Sequence, residues 1–280
     1  MLQVPKVLLL DGDGVIWLDK IPIKGSIESL NLIRSFGVRL ILVTNNCSKT
    51  RRQYLSFMEN MGLKGFTIED IYSSGYVTAL YLLKNGIKDV YVCGFPGLME
   101  ELRLNGINVY NIENKDKIRK VDALVVSKCD SATFEEIKSA MNVAEKFNCP
   151  LIGTNPDPNF PMSHGVLIPG SGAIVNIFEN ALGKKATLIG KPESPMFDAV
   201  LENLKISKED VMMVGDRLIT DIAFAANQKA RSVLVLSGVD TKDMVDKVTD
   251  DKKPTFVLKS LVEVADLIKE MTNRDNKVFN

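Results

Sequence analysis

The apolar run Val7-Leu8-Leu9-Leu10 passes directly into Asp11-Gly12-Asp13-Gly14-Val15, and this junction is the tightest constraint on how the chain can fold. Four consecutive apolar residues bounded by acid and glycine read as a strand buried on both faces, the mark of a parallel sheet. Ligand crevices in such sheets lie outside the carboxyl ends of the strands, so both carboxylates are expected at a binding edge. Gly12 and Gly14 permit a turn that swings two acids toward one cleft. One acid can then act as nucleophile or metal ligand while the other handles protons. A short acidic turn that only caps a following helix looks the same, so this segment alone leaves both readings open.

The pattern downstream extends the parallel-sheet reading. Strands are expected at 6–10, 39–43 and 71–73, separated by helices at 27–36 and 50–61 and followed by one at 76–83. A second strand–helix series runs through 90–94, 123–126, a helix at 134–147, and 151–153. Residues 187–190, 211–214, 232–236 and 255–258 resume the first pattern. The expected architecture is α/β: a doubly wound parallel sheet with an inserted α/β cap domain. Residues 1–83 and 187–280 are assigned to the core and 84–186 to the cap, and 280 residues suit two domains.

Lysine plus arginine number 35 and aspartate plus glutamate 35, so no global field draws in nucleic acid or an anionic membrane. The expected partner is small. No apolar stretch is long enough to cross a bilayer, and the first residues form neither a secretory h-region nor a transit peptide. Cys47, Cys93, Cys129 and Cys149 are dispersed, without zinc spacing or a disulfide framework, and a cytoplasmic protein is expected.

Three further segments place polar groups after apolar strands. Leu40-Ile41-Leu42-Val43 ends in Thr44-Asn45-Asn46, which offers a hydroxyl, two amides and backbone N–H groups for an anion, or alternatively an N-cap cluster. Leu188-Ile189-Gly190 ends in Lys191-Pro192, whose ammonium suits a phosphoryl oxygen but equally an exposed surface. Val211-Met212-Met213-Val214 ends in Gly215-Asp216-Arg217-Leu218-Ile219-Thr220-Asp221, where two acids invite a hard divalent cation, Asp216 being the better ligand and Asp221 also explicable as a helix-dipole carboxylate.

The order of acidic pair, Thr-Asn-Asn, Lys-Pro and Gly-Asp with a further acid resembles the haloacid dehalogenase superfamily, over the whole chain. Within it the chain is most similar to the 4-nitrophenylphosphatase and phosphoglycolate phosphatase branch, through 11–17, 44–51 and 215–222 and the cap stretches 153–157, 159–161 and 169–172. The resemblance implies a phosphatase of small phosphate monoesters, with Asp11 as nucleophile through an aspartyl-phosphate and Asp13 as general acid and base. It implies Mg²⁺ on the Asp11 carboxylate, the Asp13 carbonyl and Asp216, with Thr44, Asn45, Asn46 and Lys191 binding substrate and Asp221 orienting Lys191 or a metal-bound water. It also leaves a cap-mediated homodimer open. Pyridoxal phosphatase relatives carry a cap histidine where this chain has Phe160, which argues against a vitamin B6 phosphate specialist. His164 is taken as a cap surface residue, and Asn155, Asp157 and 160–165 as candidates for substrate contact or as an ordinary turn.

The alternatives are a sugar-phosphate or nucleotide phosphatase of the same superfamily and a non-catalytic phosphate sensor. A receiver-type signalling domain would lack the second acid and the long insertion. Pro169-Gly170-Ser171-Gly172-Ala173 lacks the third glycine of a dinucleotide loop. Cys47, just past the anion-binding turn, is a weak candidate for an oxidant sensor.

Overall fold

The computed structural model describes residues 3–129, 133–161 and 167–278, so His164 and most of the 160–165 loop lie outside the described residues. The described strands are β1 (Val7–Leu10), β2 (Trp17–Leu18), β3 (Ile21–Pro22), β4 (Arg39–Thr44), β5 (Ile71–Ser73), β6 (Asp89–Cys93), β7 (Asn108–Tyr110), β8 (Ala123–Val126), β9 (Leu151–Gly153), β10 (Asn159–Pro161), β11 (Leu167–Pro169), β12 (Thr187–Leu188), β13 (Val211–Gly215), β14 (Arg231–Val235) and β15 (Phe256–Leu258). The chain divides into two compact units, one of residues 1–43, 55–72 and 197–280 and the other of residues 44–54 and 73–196.

The first unit is organised by a sheet of order β15-β14-β13-β1-β4-β5. Every residue of β1 is buried, as expected of a central strand covered on both faces. Leu10 lies opposite Val214 on one side and Leu42 on the other, both pairings parallel. From β1 the chain first builds outward through β4 and β5, then returns to build β13, β14 and β15 on the other flank. The reversal falls between β1 and β13, so their carboxyl ends flank the switch-point crevice where α/β sheets bind ligands. Asp11 and Asp216 are the residues that follow those two strands.

The second unit has its own parallel sheet, β12-β9-β8-β6-β7. Its core gathers Tyr91, Leu124, Val126, Leu151 and Phe178. The helix Phe134–Phe147 starts with a reciprocal cap, Thr133 accepting from the Glu136 N–H while the Glu136 carboxylate accepts from the Thr133 N–H. No helix among the described residues is long and apolar enough to cross a membrane.

The strands β2, β3, β7, β10 and β11 are additions to those expected from the sequence, and one expected strand lies in the other sheet. Residues 187–190 were expected beside the first-sheet strands, yet Thr187 and Leu188 pair with Ile152 and Gly153 of the second sheet. Gly183 ends the preceding helix in the left-handed conformation, and the few residues after it deliver the chain to the neighbouring edge of β9. Ile189 and Gly190 prolong the contact by donating to the Gly153 and Thr154 carbonyls. Lys191 therefore follows an edge strand of the second sheet.

Phe178 has no exposed surface, and its removal leaves a ring-sized void in the second unit's core. Phe178→Ala is expected to cost about 3–5 kcal/mol, measured as a fall in the denaturant midpoint of that unit's unfolding.

Candidate active site

In the first unit, one carboxylate oxygen from each of Asp11, Asp216 and Asp221 lies within 4.8 Å of the others. Asp11 leaves β1 with its N–H still donating to the Val214 carbonyl, 3.0 Å, so the sheet ladder itself sets its position. Asp11 is half-buried, whereas Asp216 and Asp221 are almost fully enclosed, at 2% and 1% exposure.

Asp216 is fixed by what surrounds it. Its Oδ2 accepts from the Val239 N–H at 2.8 Å, and its carbonyl accepts from the Asp240 N–H at 3.1 Å. A β-carbon on Gly14 would stand 2.3 Å from that same Oδ2, and one on Gly238 would stand 2.0 Å from it. Gly14 also has φ 79°, a conformation that favours glycine. Ser237 Oγ donates to the Gly14 carbonyl at 2.7 Å and ties the two glycine segments together.

Asp221 lies in a single π-helical turn, Leu218–Ile222, rather than at the start of a regular helix. The turn is held at its beginning from outside: Asp240 Oδ2 accepts from the Leu218 N–H at 2.6 Å, while Asp221 Oδ2 accepts from the Arg217 N–H at 3.2 Å. Single π turns of this kind recur at functional sites because they re-aim a side chain. Gly215 has no room for a side chain, since its β-carbon would fall 2.1 Å from that of Asp221.

Asp13 stands apart from the three clustered carboxylates. It is exposed, and its Oδ1 accepts from Trp17 Nε1 at 3.0 Å. The turn therefore sends Asp11 toward Asp216 and leaves Asp13 on a separate hydrogen bond.

Three carboxylates this close repel one another, and taking two of them out of water adds a desolvation cost. A bound divalent cation offsets both. Carboxylate oxygens are hard donors that match Mg²⁺ or a similar ion, so the residues present suit the group the sequence implied.

In the second unit, the segment after β4 is built from hydrogen bonds. Thr44 is 4% exposed, and its Oγ1 accepts from the Asn46 N–H. Asn45 Nδ2 donates to Asp157 Oδ2 at 3.0 Å and to the Lys191 carbonyl at 2.8 Å. The Asn45 carbonyl accepts from Ser74 Oγ and from Asn155 Nδ2. Asn46 Oδ1 accepts from the Ser48 N–H, and its carbonyl accepts from Tyr54 OH. The structure thus joins Asn45 to Lys191, whose side chain is buried at 2% exposure and whose bond to Pro192 is cis. A lysine so enclosed needs anionic or strongly polar company.

Asn155 is 3% exposed, and its amide is spent on Asn45, Thr154 and Ser171. It braces the loop. Farther along, Glu101 is 2% exposed and accepts from both the Arg51 N–H and Arg51 Nε, while the Arg51 guanidinium lies 3.5 Å from the centre of the Tyr76 ring. Burial pushes the Cys47 thiol up from its ordinary pKa, which disfavours the thiolate.

Ser237, Gly238 and Asp240 escaped sequence reading. The signal was present in weak form: β14 is a further apolar strand, and Ser237-Gly238-Val239-Asp240 follows one residue beyond its end. Gly238→Ala is expected to displace the Asp216 carboxylate and weaken the affinity of the carboxylate cluster for a divalent cation by roughly 10–100-fold, read by calorimetric titration of the cation.

A family model described as haloacid dehalogenase-like hydrolase matches residues 8–108, and a HAD-hydrolase-like model matches residues 188–264. The 4-nitrophenylphosphatase of Schizosaccharomyces pombe is 31% identical over 279 residues, which cover 93% of each chain. Phosphoglycolate phosphatase 2 of Arabidopsis thaliana is 32% identical over 280 residues, covering 94% of this chain and 92% of its own. Among solved structures, the 4-nitrophenylphosphatase of Thermotoga maritima superposes with a TM-score of 0.86 at 31% identity, covering 95% of this chain and 98% of that one. Likeness of that extent, over a chain whose strand-end acids gather as described, makes this protein a member of the haloacid dehalogenase-like hydrolase family, in its 4-nitrophenylphosphatase and phosphoglycolate phosphatase branch.

Proposed function

We propose that this phosphoric monoester hydrolase acts, with Mg²⁺, on small phosphorylated metabolites of the 2-phosphoglycolate kind, and that it accepts 4-nitrophenyl phosphate as an artificial ester. The observation that carries the proposal is the grouping of Asp11 with two buried carboxylates at the switch point of the first sheet, with Asp13 two residues on. The names of the relatives supply the substrate class. The free thiols among the described residues fit a reducing cytoplasm.

Asp11 is assigned as nucleophile. One of its carboxylate oxygens attacks phosphorus in line, a P–O bond to Asp11 forms, and the P–O bond to the alcohol breaks. Asp13 gives its proton to the departing alcohol oxygen. In the second half-reaction Asp13 takes a proton from water as that water attacks phosphorus, and Asp11 is released with inorganic phosphate. Thr44, the Asn45 main chain, Asn46 and Lys191 are assigned to the remaining phosphate oxygens, where an ammonium and N–H donors stabilise charge. Asp11, Asp216 and the Asp13 carbonyl would hold Mg²⁺, which when bound neutralises the charge that otherwise keeps a carboxylate away from a phosphate dianion. Asp221 is assigned to orienting these groups. Residues 84–186, which include most of the second sheet, are assigned to the choice of leaving group.

A panel of small phosphate esters assayed with and without Mg²⁺ tests the whole reading, and turnover that persists after exhaustive chelation counts against it. Asp11→Asn is expected to lower turnover by about 10⁴-fold or more, and wild-type hydrolysis by a clean sample would refute the nucleophile. Asp13→Asn should lower turnover by roughly 10²–10⁴-fold while inorganic phosphate still binds, measured as competitive inhibition.

A further inference from the structure

The first unit contains a side chain that touches Asp13 and that the mechanism above does not use. Trp17 is 2% exposed, and its indole Nε1 donates to Asp13 Oδ1 at 3.0 Å. Asp13 itself is exposed. An exposed aspartate samples several rotamers, whereas this donor is rigid.

Four features hold the indole. Gly12 lies flat against it, for a β-carbon there would come within 2.3 Å of Trp17 Cζ2. Phe57 meets it edge-on, with ring centroids 5.4 Å apart and planes at 88°. The Trp17 N–H donates to the Gly12 carbonyl at 3.1 Å, and the Trp17 carbonyl accepts from the Gly14 N–H at 2.8 Å. Trp17 also pairs with Pro22 in the β2–β3 hairpin. The residues on either side of Asp13 are thus clamped to the tryptophan that bonds its carboxylate.

We propose that Trp17 is a positioning residue for proton transfer. By anchoring Oδ1, the indole N–H sets the plane of the Asp13 carboxylate and so fixes where Oδ2 delivers the proton to the leaving oxygen. The proposal rests on the reading of Asp13 as the proton donor. Glycine at position 12 then has a purpose beyond making a turn: it is the space the indole occupies.

The leaving group discriminates this role from a structural one. An alkoxide is a strong base and departs only when protonated, whereas 4-nitrophenolate departs with little help. The constant kcat/KM reports events up to release of the alcohol, so it isolates this step from the later attack by water. Trp17 is the chain's single tryptophan, so replacing tryptophan with 3-benzothienylalanine, which carries sulfur in place of the N–H, alters this side chain alone.

The test measures kcat/KM for 2-phosphoglycolate and for 4-nitrophenyl phosphate in the wild type, Trp17→Phe, the benzothienyl protein and Asp13→Asn. The two Trp17 forms are expected to lose about tenfold or more on the alkyl ester and less than about threefold on the aryl ester, with inhibition by inorganic phosphate unchanged. Equal losses on both esters, or a benzothienyl protein that matches the wild type, would overturn the assignment. Selective loss in Asp13→Asn with none in the Trp17 forms overturns the Trp17 role alone. Absence of selective loss in Asp13→Asn removes the reading of Asp13 and this proposal with it.

Discussion

Holding three carboxylates within 4.8 Å is the constraint from which the rest of the first unit's architecture follows. Like charges at that distance separate unless the backbone prevents it, and here three strand-to-loop junctions act together. The β1–β13 pairing sets Asp11 one residue and Asp216 two residues past the matched pair Leu10 and Val214, and the π turn carries Asp221 back toward them. Glycines at 14, 215 and 238 are the steric counterpart, because a side chain at any of the three would occupy the space of an aspartate. Carboxylates gathered in this way could coordinate a divalent cation, whose charge would relieve their mutual repulsion.

The second unit solves a different problem, that of making an irregular segment rigid. Residues 45–50 lie between a strand and a helix, yet the segment is tied down from its surroundings: Asn45 is held from Ser74, Asn155 and Asp157, and Arg51 from Glu101. Gly97 lets its helix approach so closely that a β-carbon would strike the Ser48 carbonyl at 2.2 Å. Loops that bind anions through backbone N–H groups depend on such bracing, since a donor that wanders contributes little.

Much of this was legible in the chain. β1 and its two acids were readable because four buried residues in a row admit few alternatives, and β13 with Asp216 for the same reason. The sheet of β12 was not, because a two-residue strand is too short to show which core it faces. Asn45 and Asn155 were readable as polar groups at strand ends but not as braces, since an amide serves a ligand or a neighbouring carbonyl equally well and only packing decides. Asp240 was hidden by distance: it closes a turn 22 residues earlier, a relation no local pattern carries. Trp17 stood in plain view beside Asp13, yet hydrophobicity alone assigns an indole to the core, and only geometry reveals that its nitrogen faces the acid.

The placement of that indole also has an optical consequence. With one tryptophan in the chain, emission excited at the red edge of protein absorbance comes from a single location, hydrogen-bonded to Asp13 and stacked beside the residue that follows Asp11. The protein therefore carries its own fluorophore against the acidic turn that follows β1, and changes in the surroundings of that turn register as light without any label.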